Sequence, residues 1–146
     1  MERIDYVLGF LFDDKKERVV LIEKNRPSWQ AGLLNGVGGK IELGEETTWG
    51  LKWKEKPQDA MRREFKEETG VDIPLWVFNG TMSGDGFCVW VYSSFGPVDA
   101  VQTMEDEKVA IYNVDTLLRS DKVIPNLKWM IPFAIHDIEC TFEVRY

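Results

Sequence analysis

Arg63-Glu64-Phe65-Lys66-Glu67-Glu68-Thr69-Gly70-Val71 is the stretch around which the rest of the chain is read. Upstream, Pro57 suits the first turn of a helix, where its missing N–H costs nothing, and Gly70 suits a left-handed closing residue. The spacing therefore predicts a helix from Pro57 to Gly70. Glu64, Glu67 and Glu68 fall at i, i+3 and i+4, which puts three carboxylates on one face. Met61 and Phe65 lie to one side and give the helix an apolar edge to bury. Stacked carboxylates repel by roughly 0.2–0.5 kcal/mol per close pair. A hard divalent cation such as Mg²⁺ or Mn²⁺, which prefers oxygen ligands, would remove that repulsion. The plain alternative is a solvated acidic face. Just upstream, Gly36-Val37-Gly38-Gly39-Lys40 permits close backbone approach to a ligand or metal, or makes an ordinary turn.

The chain has 146 residues, 44% hydrophobic and 29% charged, which fits a single soluble globular domain over residues 1–146. Its apolar run Tyr6–Phe12 is too short to span a membrane and has no basic leader. A net charge of −7 speaks against broad nucleic-acid binding and would repel a phosphate substrate unless bound cations reversed the local field. Cys88 and Cys140 sit in apolar contexts and read as buried thiols, compatible with a reducing cytoplasm. His136, the only histidine, lies far from the acidic helix and is assigned no catalytic part.

Strands are expected over Ile4–Phe12 and Arg18–Glu23, joined by the turn-like Asp13-Asp14-Lys15-Lys16. A loop over Lys24–Gly32 leads to a short strand through Gly39-Lys40-Ile41. Beyond the helix, Leu75–Met82 and Phe87–Phe95 read as strands around the turn Ser83-Gly84-Asp85-Gly86. Glu107–Asn113 alternates as a further strand, and Val123–Ile135 has helical spacing despite Pro125 and Pro132. Cys140, Phe142, Val144 and Tyr146 alternate as a last strand or edge-docked tail. This order implies an α+β fold with a mixed sheet packed between helices.

Gly39, five residues, Glu45, and then the run from Arg63 to Val71 resembles the Nudix box, Gly-x5-Glu-x7-Arg-Glu-U-x-Glu-Glu-x-Gly-U, with U a bulky apolar residue. The second half matches at every specified position. Between Glu45 and Arg63, however, lie seventeen residues where the box has seven, so an insertion near residues 46–55 is expected. Glu45 keeps the box distance from Gly39 and Glu55 keeps it from Arg63, which leaves either as the first box glutamate. The insertion carries Trp49 and Trp53, and either covers the substrate or decorates the surface.

The resemblance implies a Nudix α/β/α sandwich and a metal-dependent hydrolase of phosphoric anhydrides. It also implies site residues. Glu64, Glu67, Glu68 and the Gly39 carbonyl would hold Mg²⁺ or Mn²⁺, with Glu64 alternatively a base. Glu107, chosen from Glu105-Asp106-Glu107, would be an auxiliary ligand, and Arg63 would fix a carboxylate. Trp29-x5-Asn35 ahead of Gly36–Lys40 is similar to the MutT-type branch, which cleaves nucleoside triphosphates, oxidised purines included, to monophosphate and pyrophosphate. There Trp29 would stack on the base, Asn35 and Asn126 would bond to it, and Lys40 would be a further substrate contact. Trp29 as core packing, and Asn35 and Asn126 as turn and helix-start residues, are the plain alternatives. Within the enzyme class the rival is an ADP-ribose, nucleotide-sugar or dinucleoside polyphosphate hydrolase; outside it, a Nudix-fold binding module. A nucleotide partner, no stable nucleic-acid or membrane binding, and a monomeric or homodimeric state complete the expectations.

Overall fold

Strand β1 (Ile4–Phe12) is the spine of the molecule, because its side chains alternate between two separate cores. The computed structural model describes residues 3–47 and 50–145, and the side chains of residues 45–52 lie outside that description. Val7 and Leu11 point to one core, with Val20, Ile22, Val37 and the helix residues Ala60, Met61 and Phe65. Leu8, Phe10 and Phe12 point to the other, with Val19, Leu21, Leu127, Met130 and Ile131.

Around β1 the eight-stranded sheet is mixed, as the sequence predicts. β2 (Arg18–Glu23), β3 (Leu34–Asn35), β4 (Val37–Lys40), β7 (Val77–Gly84), β8 (Phe87–Phe95), β9 (Val109–Asn113) and β10 (Cys140–Glu143) complete it. The path runs β10-β7-β8-β1-β2-β3, with β4 on β1 and β9 on β2. β1 runs parallel to β8 from Ile4↔Phe87 to Phe12↔Phe95, and β10 runs parallel to β7. Helix α1 (Pro57–Thr69) covers one face, while α2 (Val114–Leu118) and α3 (Leu127–Ile135) cover the other. The fold is an α+β sandwich.

Several boundaries differ from expectation. β7 starts at Val77 rather than Leu75, and Leu75 is 80% exposed. It runs on to Gly84, because Ser83 and Gly84 pair with Cys88 and Phe87. The turn is thus only Asp85-Gly86, where Gly86 takes φ 79°. α3 begins at Leu127, four residues late, because Val123 bridges Leu34 and the Ile124 amide donates to the Leu34 carbonyl at 3.0 Å. Pro125 reinforces the extended start. Cys140 is only half-buried, unlike Cys88, since β10 is an edge strand; both thiols are free. Among the elements not expected from the sequence, besides β3, are a short helix and a hairpin. α2 is a short helix capped by Asn113, whose side-chain oxygen accepts from the Thr116 amide at 3.0 Å. The hairpin, β5 (Leu43–Thr47) with β6 (Gly50–Trp53), is separate from the main sheet and overlaps the stretch near residues 46–55 where an insertion is expected. Trp49 and the side chain of Glu45 fall outside the described residues.

Candidate active site

The carboxylates are set out by α1. Pro57 occupies its first turn, and Gly70 closes it at φ 78° with its amide donating to the Lys66 carbonyl at 2.9 Å. Met61 and Phe65 are fully buried against the sheet. That docking fixes the rotation of the helix and turns Glu64 onto β4, with Glu67 and Glu68 on the same side of the helix. Glu64 lies directly over Gly39, with its carboxylate where a Cβ would stand. Only a glycine leaves room there.

Arg63 organises the near side. Its guanidinium donates to Glu55 at 2.6 and 2.9 Å, to Glu64 at 3.0 Å, to Glu67 at 3.1 Å and to the Lys40 carbonyl at 3.2 Å. Burial opposes ionisation of Glu55, but the hydrogen bonds from Arg63 and from the Glu42 amide hold its carboxyl below the usual range. Glu55 thus occupies the arginine from the box distance of eight positions back. Glu64 behaves differently. Burial pushes its carboxyl up to about 7, against the pull of Arg63 and with the repulsion of Glu67 and Glu105.

Glu68 closes the far side. It is 9% exposed, and its Oε2 is buried with no hydrogen-bond partner. Burial, followed by the charges of Glu105, Glu107 and Glu64, pushes its carboxyl up to about 7. The loop bearing those acids is tied to the end of α1. The amides of Gln102 and Met104 donate to the carbonyls of Thr69 and Glu68 at 3.0 and 3.2 Å. Glu107, the acid singled out by sequence, is buried and engaged. It accepts from Lys24 Nζ at 2.9 Å and from the Asn25 amide at 2.6 Å. Burial works against its ionisation, yet these partners hold it below the usual range. Glu105 is exposed and acts on both Glu64 and Glu68. Sequence reasoning passed over it and over Lys24; the triplet Glu105-Asp106-Glu107 was the available signal for the first, and nothing in the spacing marks the second.

Among the described residues, no three histidine, cysteine or acidic side chains converge closely enough to enclose a metal, and Glu64 and Glu67 both face Arg63. The chemistry of the donor set nevertheless fits a hard cation. An orphaned, buried carboxylate oxygen stands beside carboxylates that repel it, and all are oxygen ligands.

The remaining sequence candidates lie elsewhere. Trp29 sits on a 3-10 turn, Ser28–Gln30, and is 63% exposed, which removes the core-packing alternative. Asn35 accepts from the Gly36 amide at 2.8 Å, and its amide reaches Gln30 of the tryptophan's turn at 3.5 Å. Asn126 stands at the start of α3 without capping it; its amide contacts the sulfurs of Met82 and Met130 at 3.6 and 3.7 Å. The Leu34–Val123 bridge brings the segments of Asn35 and Asn126 side by side. The Lys40 side chain is exposed while its carbonyl serves Arg63.

The NUDIX domain family model matches residues 2–130. The chain belongs to that family. Solved structures described as MutT or NUDIX proteins are among its structural neighbours. A MutT described from Aliivibrio salmonicida and Vibrio cholerae superposes with a TM-score of 0.72 at 18% identity, covering 94% of this chain and 100% of the other. MutT from Methanosarcina mazei Go1 gives 0.69 at 16% identity, covering 93% and 95%. The NUDIX domain of Shewanella oneidensis NrtR, complexed with ADP ribose, gives 0.68 at 20% identity, covering 94% and 89%. At these identities the likeness establishes the shared Nudix fold. No curated protein matches this chain.

Proposed function

We propose that this Nudix chain hydrolyses nucleoside or deoxynucleoside triphosphates to monophosphate and pyrophosphate, oxidised purine nucleotides included, with Mg²⁺ or Mn²⁺. The observation that carries the reading is the α1 face, where half-buried Glu64 lies over Gly39 and buried Glu68 and exposed Glu67 stand on the same side of the helix. A cation held by Glu64, Glu67, Glu68 and the Gly39 carbonyl would lower the pKa of a water and offset charge on the phosphoryl oxygens. Everything else falls to the chain. Arg63 forks onto Glu55 through two nitrogens and holds Glu64 and Glu67 in register through the third. Glu64, with its carboxyl raised to about 7, is suited to accept a proton near neutral pH. Lys24 and the exposed Lys40 supply positive charge at an otherwise acidic site. Trp29, exposed on its turn, offers a ring for the base, while Asn35 and Asn126 offer paired donors and acceptors to its edge. Two free thiols support a reducing, cytoplasmic setting.

A second reading, hydrolysis of ADP-ribose or a related dinucleotide, is favoured by the ADP-ribose complex of the NrtR domain and by the tryptophan-bearing hairpin beside the site. A panel of guanine, adenine, cytosine and oxidised-guanine triphosphates with ADP-ribose, nucleotide sugars and dinucleoside polyphosphates, scored in Mg²⁺ for pyrophosphate and phosphate, decides between them. Pyrophosphate release from triphosphates at the highest kcat/KM is the expected result. Turnover of ADP-ribose alone would replace the first reading with the second, and no turnover at all would make the chain a binding module.

A further inference from the structure

The hairpin β5–β6 stands outside the main sheet, and a lone two-stranded hairpin is marginally stable in water at best. Its attachment begins at Asp5, on the central strand β1. Asp5 is 9% exposed, and a buried carboxylate is costly unless hydrogen-bonded. Its Oδ1 accepts from the Trp90 indole N–H at 3.2 Å and faces Arg3 at 3.2 Å. Its Oδ2 accepts from the Trp53 indole N–H at 3.3 Å. The two indoles meet edge to face with centroids 5.4 Å apart. One carboxylate therefore joins the last residue of the hairpin to strand β8.

Beyond Trp53 the chain runs straight into the site. The Lys54 amide donates to the Glu42 carbonyl at 2.8 Å, and the Glu42 amide donates to the Glu55 carboxylate at 3.0 Å. The same carboxylate takes the Arg63 guanidinium at 2.6 Å. Glu55 is two residues from Trp53, a reach of about 7 Å at full extension, so it cannot keep its place if Trp53 moves far.

We propose that Asp5, Trp53 and Trp90 are positioning residues: they clamp the inserted hairpin so that Glu55 holds Arg63, and Arg63 holds Glu64 and Glu67, in the arrangement the metal face requires. The role rests on the reading of the α1 face as a metal site. A carboxylate shared by two indoles on different elements gives the insertion one docked position, which a merely decorative loop does not need.

The test uses Asp5→Asn and Trp53→Phe. An amide offers one oxygen, so one indole loses its acceptor, while phenylalanine keeps a ring against Trp90 and deletes the N–H. Mn²⁺ binding is read by electron paramagnetic resonance without nucleotide, the Arg63 Nε–H resonance by NMR, and melting in chelator alongside. Each variant is expected to weaken Mn²⁺ binding by roughly tenfold, as outer-shell changes do, and to shift the Arg63 resonance. The loss from Asp5→Asn should vanish in a Glu55→Gln background, because the route passes through Glu55. A purely structural role would lower melting in both backgrounds alike and leave the losses additive. Unchanged Mn²⁺ affinity and an unmoved Arg63 resonance overturn the proposal, as do additive losses. If Asp5→Asn does not fold, Trp53→Phe alone and in the Glu55→Gln background decides in the same way. A wild-type protein that binds no Mn²⁺ overturns the metal reading itself and the positioning role with it.

Discussion

Glu68 sits where ionisation is disfavoured, buried and facing the charges of Glu105, Glu107 and Glu64. Glu68→Gln keeps its size and removes the charge. Turnover in saturating Mg²⁺ is expected to fall by at least about 100-fold, the usual cost of losing one electrostatic stabiliser. Melting temperature in chelator should hold or rise, since repulsion is relieved; wild-type rates of pyrophosphate release would rule the residue out of the site. The same environment sets a pH dependence. Below pH 4.5 the carboxyls of Glu64 and Glu68 are protonated whether the chain is folded or not, and burial costs them nothing. As pH rises toward about 7 the unfolded chain releases these protons first, so the metal-free protein loses stability across that window. Urea titrations in chelator should show a lower midpoint at pH 8 than at pH 5.5, and Glu68→Gln should flatten the difference. Sequence spacing alone marked Glu64, Glu67 and Glu68, because helical geometry fixes who shares a face. It could not show that Glu107 is engaged by Lys24, since that pair joins residues eighty-three apart in the chain.

At the level of elements, α1 was legible from end to end, because Pro57 and Gly70 act through local backbone conformation. The hairpin β5–β6 was not, because the residues Trp53 docks on, Asp5 and Trp90, belong to other strands. α3 likewise starts late, since the Leu34–Val123 bridge overrides the helical spacing of residues 123–126. The fit between α1 and β4 yields a sharp expectation. Gly39→Ala would set a methyl group where the Glu64 carboxylate lies. It should weaken Mn²⁺ binding and turnover together by about tenfold or more, given that displaced ligand shells cost that much. Isothermal titration with Mn²⁺ beside initial rates checks it, and unchanged affinity would show that Glu64 has another place to go. The turn carrying Trp29 offers a contrast. With the ring 63% exposed, Trp29→Ala should move stability by less than about 0.5 kcal/mol, as surface changes do. KM should rise for every nucleotide, while Asn35→Ala reorders the bases. Steady-state kinetics on four triphosphates, set beside thermal melts, measures both.

For the whole molecule, a net charge of −7 and an acidic site imply that a cation changes the protein's stability as well as its chemistry. Mg²⁺ or Mn²⁺ should raise the melting temperature by mass action, and EDTA should abolish hydrolysis reversibly. Full activity after verified metal removal would contradict the mechanism. The overall sandwich could be read from the order of strands and helices, whereas strand order could not, because pairing across the sheet leaves no local mark. The parallel match of β1 to β8 is the clearest case, with partners as far apart as Ile4 and Phe87. During synthesis, β1 leaves the ribosome on the order of 5–15 s before β8 at typical elongation rates of about 5–20 residues per second. Throughout that interval the nine residues Ile4–Phe12, among the most apolar in the chain, have one flank with nothing to pair with. The nascent chain therefore passes through a window in which its central strand is an open edge, with its unpaired N–H and C=O groups exposed to pairing with another chain.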